Sequence, residues 1–348
     1  MDSTTVAALL KERGADVIGM TMQLLDYRDA EGGCCSLDHV VDARRAAQDI
    51  GVPHYVVNFI DEFKQSVLSD YKEKYRSGKT PIPCVLCNKY VKFDLLLKKA
   101  LAMGADYLST GHYARIEQDS DTGEYTLNKS VDSAKDQTYF LYTLGQKELK
   151  HLMFPLGSLT KQEVRDIARK LSLLPAEKPD STGVCFVPGG NYREYIESDP
   201  EFSSREGEII SEEGETLGKH GGVYGFAIGQ RPGLGIATGA PMYVTRIEPS
   251  QNRVFVGGKD KIYSRGLIAT DISWISPSDT LSESPEQVKV KVRYSQRESD
   301  ATVNMRSETD AVFRFSEPER AVTPGQAVVM YRGDRVLGGG WINEVIRP

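Results

Sequence analysis

Helical and strand-like periods alternate over the first two hundred residues of this 348-residue chain, and after Cys185 the alternation stops. Ser3 to Arg13 carries Val6, Ala7, Leu9 and Leu10 and ends at Gly14, the pattern of a short helix with a glycine cap. Val17 to Met22 reads as a buried strand. Leu37 to Ile50 reads as a helix closed by Gly51, and Val52 to Phe59 as a second strand. Phe63, Val67, Tyr71 and Tyr75 recur every four residues, a helix stripe. Asn88 to Met103 reads as a helix ended by Gly104, Tyr107 to Ile116 as a strand, and Leu159 to Leu174 as a further helix. Such alternation predicts an α/β domain with a mainly parallel sheet.

Beyond Cys185 glycine becomes frequent and strands shorten. Gly207–Ile210, Gly222–Gly225, Pro241–Ile247 and Arg253–Gly257 predict a small β-rich middle domain. Six strands then follow: Gly266–Ile275, Gln287–Tyr294, Ala301–Met305, Ala311–Phe315, Ala327–Tyr331 and Val336–Ile342. They predict a closed β-barrel. The expected divisions are 1–188, 189–260 and 261–348. Two or three domains suit the length.

Composition is that of a soluble globular protein, with 40% hydrophobic and 26% charged residues. No apolar run approaches the roughly 20 residues that cross a bilayer, and no signal peptide is visible. A reducing, cytoplasmic setting without a membrane partner is the expectation. The five cysteines, Cys34, Cys35, Cys84, Cys87 and Cys185, are an odd count that argues against a disulfide-stapled fold. Net charge is −6, yet from Lys72 to Lys99 eight Lys or Arg oppose only Glu73 and Asp94. That segment is either a solvated helix face or a phosphate-attracting field beside the thiols.

Cys84-Val-Leu-Cys87-Asn88 and Ser181-Thr-Gly-Val-Cys185 set cysteines among turn residues. The expectation is reactive thiols near a loop or helix start, ionised by unpaired backbone N–H groups. Asp2-Ser3-Thr4 reads on its own as a helix cap. His112 closes a predicted strand, where open α/β sheets bind ligands, although a lone histidine there is often structural. Lys135-Asp136-Gln137 is either a helix start or a set of groups for phosphate and base edges. Gly233 to Gly239 has the wrong spacing for a dinucleotide loop and reads as turns.

Taken in order, Met1-Asp-Ser3, Thr80-Pro-Ile-Pro-Cys-Val-Leu-Cys-Asn88, Ser109-Thr-Gly-His-Tyr113, Lys135-Asp-Gln137, Asp180-Ser-Thr-Gly-Val-Cys-Phe186, Gly229-Gln-Arg-Pro-Gly-Leu-Gly235 and Thr323-Pro-Gly-Gln326 resemble the motifs of the bacterial tRNA-specific 2-thiouridylase (MnmA, or TrmU) family over essentially the whole chain. The resemblance implies a pyrophosphate-loop α/β domain of parallel-sheet type, a small β-rich domain and a tRNA-binding C-terminal β-barrel. It implies 2-thiolation of the wobble uridine of tRNA, with ATP and Mg2+ activating the C2 oxygen and a persulfide-carrying donor protein supplying sulfur. By resemblance, Cys185 carries the persulfide and Cys87 is the catalytic partner, with a transient disulfide between them on one route. Asp2, Ser3, Met22 and Gly111 match ATP-contacting positions. Ile82, Pro83 and Cys84 match the target-base stretch. His112, Lys135, Asp136, Gln137, Arg293, Tyr294 and Gln326 match tRNA-contacting positions.

Two departures stand out. The chain opens on a helix, and Met1-Asp-Ser3 matches only the last half of the family's Ser-Gly-Gly-Val-Asp-Ser loop. The expectation is that the full chain begins upstream; as written, ATP binding should be poor. Cys84 also stands where many relatives have an aspartate, so that Cys84, Cys87 and Cys185 could ligate an iron–sulfur cluster. Cys34 and Cys35 read as loop residues. Two rivals remain: a catalytically impaired tRNA-binding protein, and a thiol-disulfide oxidoreductase built on the CxxC.

Overall fold

The structure, a computed structural model, describes residues 1–26, 37–173, 183–199, 202–281 and 285–347. Cys34, Cys35 and Asp180–Thr182 lie outside these residues. The α/β part begins with α1 (Asp2–Glu12), β1 (Gly19–Gln23), α2 (Leu37–Asp49) and β2 (His54–Asn58). Gly14 and Gly51 follow the two helices at φ +84° and +65°, the left-handed region that only glycine enters without strain. β1 and β2 pair in parallel, Gly19 opposite His54. β3 (Leu108–Ser109) and β6 (Leu152–Met153) form a second parallel pair. No ladder joins the two pairs among the described residues.

Two long helices pack beneath. The first spans residues 60–76 with a π-wound stretch at Lys64–Leu68; its stripe of Phe63, Val67, Tyr71 and Tyr75 is buried, as the four-residue period predicts. The second runs continuously from 83 to 102 and is π-wound over Cys87–Leu96. It starts five residues earlier than its hydrophobic period suggested. Pro83, which occupies the first turn, is the signal for that start.

The predicted strand Tyr107–Ile116 is broken. After β3 the chain turns through Thr110–Tyr113, where a side chain on Gly111 would stand 2.8 Å from Asp2 Cβ. It then re-forms as β4 (Ala114–Gln118), which makes a hairpin with β5 (Tyr125–Lys129). This hairpin leaves the α/β region and joins the barrel, β5 pairing with the barrel's last strand.

The middle sheet has the order β8-β7-β10-β9, from β7 (Gly207–Ser211), β8 (Thr216–His220), β9 (Tyr243–Glu248) and β10 (Arg253–Gly257). The predicted strand Gly222–Gly225 is instead a 3-10 turn over Val223–Gly225, entered through Gly222 at φ +151°. The barrel comprises β11 (Tyr263–Trp274), β12 (Glu286–Lys291), β13 (Ser299–Met305), β14 (Ala311–Arg320), β15 (Ala327–Arg332) and β16 (Arg335–Ile346). Their order β11-β14-β13-β12-β15-β16 closes through a β11–β16 ladder. Closure leaves no free edge among these six strands. Inward residues such as Leu267, Val290, Val303, Phe313, Val328 and Leu337 fill the lumen.

Gly157 fastens the hairpin to the α/β part. Its carbonyl accepts bonds from Val131 N and Ser130 Oγ, and a Cβ at this position would overlap the Ala114 carbonyl. Gly157→Ala therefore destabilises by about 3 kcal/mol, the upper range for overpacking. Gly239→Ala, with open space around it, leaves the urea midpoint unchanged. Equal midpoints for the two variants would contradict this packing.

Candidate active site

The helix 83–102 carries Cys84 and Cys87 in its first turns, half-buried and buried respectively. Burial pushes both thiols up, Cys87 to about 11, although Lys92 pulls both the other way. The expectation of thiols ionised by a helix start is therefore corrected. Desolvation of a thiolate inside the core outweighs the backbone dipoles at the helix entry.

Cys185 lies ninety-eight positions along the chain, yet its charge acts on Cys84 and Cys87, raising both. The neighbouring side chain holds it there. Phe186 is 2% exposed and meets Phe63 (5.6 Å), Tyr71 (5.0 Å) and Tyr195 (5.6 Å) ring to ring. Such pairs contribute about 0.5–1.5 kcal/mol each beyond area burial. Tyr192 stacks on Tyr75 at 4.6 Å, and Asp199 accepts both Lys72 and Arg76 at 3.0 Å. The segment from 183 to 199 is thus docked along the helix 60–76.

All three described cysteines are free, so the disulfide of one route is not formed. The iron–sulfur expectation gains no support from the side-chain placement. No group of three or more His, Cys, Asp or Glu side chains among the described residues is placed to hold a metal ion. Cys84 and Cys87 are instead packed as protonated thiols, Cys87 within the hydrophobic core.

A cavity of about 1060 Å³ opens beside this helix. One wall is Asp16–Met22, the other Asp106–Gly111, so it runs along the facing edges of β1 and β3. Its lining also includes Asp2, Ser3, Thr4, Lys92, His112 and Gln137. The four positions matched to ATP contacts are therefore gathered at one place. The Asp2 carboxylate is committed, however: both oxygens accept from Lys161 Nζ at 2.9 Å. His112 is half-buried between Phe93 and Phe154, its Nδ1 bonded to Thr110 Oγ1 at 2.7 Å. Burial and Lys92 push its pKa well down, which keeps the ring neutral.

The remaining positions divide. Asp136 is buried, bonded to Ser130 N (3.1 Å) and Thr138 Oγ1 (2.8 Å) and paired with Lys291. Its carboxylate holds a loop rather than facing solvent, a correction to its reading as a direct tRNA contact. Gln137 Oε1 accepts from Tyr113 N, and Lys135 is half-buried. Ile82 and Pro83 are buried. Tyr294 is exposed and lies over Phe140, centroids 4.5 Å apart. Arg293 donates to Ala321 O, to Thr323 Oγ1 and to Ile228 O, joining the barrel to the middle sheet. Gln326 Nε2 donates to Thr80 O (3.1 Å), and Thr80 N donates to Pro324 O (3.1 Å). The barrel thereby grips the strap that leads into Pro83. Thr80, Arg293 and Gln326 line a second cavity of about 710 Å³ with Gly190–Arg193 and Ala227–Gln230. Neither cavity is lined by the cysteines; Cys87 lies in the hydrophobic core and Cys185 packs against it.

Family profiles match the chain in three stretches: a tRNA methyl transferase HUP domain over 1–189, a tRNA methyl transferase PRC-barrel domain over 195–258 and an aminomethyltransferase beta-barrel domain over 264–342. A protein named tRNA-specific 2-thiouridylase MnmA from Geotalea uraniireducens is 48% identical, covering 99% of this chain and 93% of its own. Proteins of the same name from Acetivibrio thermocellus and Clostridioides difficile are 47% and 46% identical, covering 98% and 99% of this chain and 96% of each relative. The chain belongs to the tRNA-specific 2-thiouridylase family.

This membership implies a nucleotide at the HUP domain, and the residues present supply part of a cradle for one, Met1-Asp-Ser3 matching only the last half of the family's loop. α1 enters the cavity with no side-chain cap on its first turn, so backbone N–H groups of Ser3 and Thr4 are donors available to a phosphate. Gly111 permits the close approach of Thr110–His112 to that turn. Two basic residues escaped the sequence reading as individuals. Lys161 fixes Asp2, and Lys92 stands between the cavity and the thiols. The basic stretch from Lys72 to Lys99 was the signal for the second; nothing in sequence pointed to the first.

The raised Cys87 thiol sets a pH response. Below about 11 it is mainly protonated, so its alkylation by iodoacetamide in the free protein rises through pH 8, 9 and 10 without a plateau. Peptide mass spectrometry at this residue reads the rate. A plateau near pH 7 would show an ionised thiol and refute the burial argument.

Proposed function

We propose that this protein catalyses ATP-dependent 2-thiolation of the wobble uridine of tRNA. The observation that carries this reading is the docking of Phe186, which brings Cys185 toward the buried Cys87, on a helix whose Lys92 lines the same cavity as Ser3, Met22 and Gly111. The printed names of the relatives support it. The proposed organisation is 1–188 for ATP and chemistry, 189–260 as a central unit and 261–348 as a tRNA-binding barrel.

When bound, ATP supplies the adenylyl group that makes the C2 oxygen of uracil a good leaving group. Ser3, Thr4, Met22 and Gly111 hold it in the cavity. A persulfide-carrying donor protein loads sulfur onto Cys185. The terminal persulfide sulfur, as its anion, attacks C2, and the activated oxygen departs with AMP. The Cys87 thiolate then attacks the Cys185 sulfur. The C2–sulfur bond survives, the S–S bond breaks, and the base takes a proton at N3 as 2-thiouracil. A Cys87–Cys185 disulfide remains, and a dithiol reductant restores both thiols. Sulfur chemistry needs an anion, so the protonated resting thiols act as a guard until RNA closes the site. The target base reaches the buried centre by leaving its stack. Exposed Tyr294 and half-buried Lys135 stand where stacking and phosphate contacts would help.

The oxidoreductase reading fits poorly, since a CxxC whose thiols are buried and raised exchanges disulfides slowly. The HUP and PRC-barrel profiles carry the words methyl transferase, which the product decides. Incubation of the protein with ATP, tRNA and a persulfide donor yields 2-thiouridine by nucleoside mass spectrometry. Cys185→Ser abolishes it and leaves tRNA affinity within about twofold. A methylated nucleoside, or full thiolation by the serine variant, would overturn the reading.

A further inference from the structure

The second cavity, of about 710 Å³, lies where four stretches of the chain meet. Its walls are the strap at Thr80, Gly190–Arg193 on the segment docked along the helix 60–76, Ala227–Gln230 of the middle unit, and Arg293, Thr323 and Gln326 of the barrel. Among the described residues that line it, two are arginines and none is acidic. The thiols are close along the chain at two points. Thr80 precedes Cys84 by four residues, and Gly190 follows Cys185 by five. An extended chain spans at most about 3.6 Å per residue, so these walls lie within about 14 Å and about 18 Å of the two cysteines.

Half-buried Arg76, Arg115, Arg246, Arg253 and Arg335 each pair with a carboxylate. The two cavity arginines, Arg193 and Arg293, are half-buried too, yet no carboxylate pairs with either among the described residues. Both grip the same loop, at carbonyls three residues apart. Arg193 Nη2 donates to Gly225 O, and its guanidinium lies 5.8 Å from the Phe226 ring centroid. Arg293 Nη2 donates to Ile228 O (3.4 Å), to Thr323 Oγ1 (2.9 Å) and to Ala321 O. Each thus spends one nitrogen of its fork on the fold and keeps Nε and Nη1 for another partner. Glu319 is the carboxylate whose charge reaches Arg293, but Ser299 Oγ and Arg320 N donate to it, and Arg320 adds a like charge. Cations drawn from water without a counter-charge are costly, and planar forks match phosphate oxygens. The volume lies in the range of about 300–1,000 Å³ that holds a small organic ligand, so it suits a nucleotide better than a bare ion.

We propose that this cavity seats one phosphodiester of the RNA strand beside the target uridine, and that Arg193 is a positioning residue, because the phosphate it shares with Arg293 ties the segment bearing Cys185 to the barrel. The proposal rests on the tRNA reading above and adds to it a residue and a role. Arg193 stands eight positions beyond Cys185, on the segment that Phe186 and Tyr192 dock. Arg293 lies just past β12 of the barrel. An anion between the two forks makes the RNA backbone itself the bond between segment and barrel. Seating of the substrate then fixes the sulfur-bearing segment, and Arg193 takes no part in bond formation.

The test compares Arg193→Gln and Arg193→Lys with the wild type, as full-length proteins with an unmodified tRNA transcript and without ATP or sulfur donor. Affinity is measured over a series of KCl concentrations. Arg193→Gln binds about tenfold more weakly at the lowest salt, the loss of one charge-assisted contact. Its slope of log affinity against log salt becomes shallower by about 0.7, the value for one single-strand phosphate. Arg193→Lys keeps the wild-type slope, because the charge remains, and has an intermediate affinity, because the fork is lost. Hydrogen exchange read by peptide mass spectrometry follows the segment 183–199: tRNA slows exchange there in the wild type and not in Arg193→Gln. A glutamine variant with the wild-type salt slope overturns the proposal, and so does equal protection by tRNA in both proteins; either result would mark Arg193 as a clasp on Gly225 alone. Protection by ATP or pyrophosphate, with tRNA adding nothing, would assign the cavity to a free nucleotide and overturn it too. Failure of the wild type to bind tRNA sinks the functional reading itself, whereas wild-type binding with an unchanged variant slope sinks this inference only.

Discussion

Phe186 packs edge-on against Phe63 and Tyr71, and the rest of the centre depends on that contact. It is a hydrophobic anchor one residue from a thiol. It is the contact nearest to Cys185 that docks the segment on the helix 60–76. The anchor is reinforced rather than duplicated. The Tyr75–Tyr192 stack and the Asp199 ion pairs act farther along the segment and fix its direction. The stripe on the helix 60–76 thus serves two ends: it fills the core and it presents an aromatic socket.

The same burial that assembles the thiols suppresses their ionisation. This is a conflict between packing and reactivity. A buried sulfur is stable as a thiol, and the charge of Lys92 only partly offsets that burial at Cys84 and Cys87. Asp136 and Asp2 are tied instead to Lys291 and Lys161.

Much of this was legible in the chain. The α/β alternation, the glycine stops at Gly14 and Gly51 and the six barrel strands follow from local period and backbone sterics, which neighbouring residues decide. The stripe Phe63, Val67, Tyr71 and Tyr75 predicted its own burial. The break at Thr110–Tyr113 was not legible, because its cause is the packing of Gly111 against Asp2 across more than a hundred residues. Nor was the annexation of β4 and β5 by the barrel, since strand period does not say which sheet a strand joins. Among site residues, the convergence of Cys87 and Cys185 was anticipated from motif likeness. Their protonation state was not, because desolvation depends on the finished core. The inward turn of Asp136 was hidden for the same reason.

The ladder between β5 and β16 has a mechanical meaning. A hairpin from the first part of the chain is woven into the barrel's wall, and Gln326 and Pro324 clasp the strap at Thr80. Two attachments at separate points leave little freedom to swing. Barrel and cysteine helix are then the jaws of a rigid caliper, set to one opening. Nucleic acid seated in it would be measured as well as held, and only a nucleotide at the right reach along the strand would arrive at the sulfur.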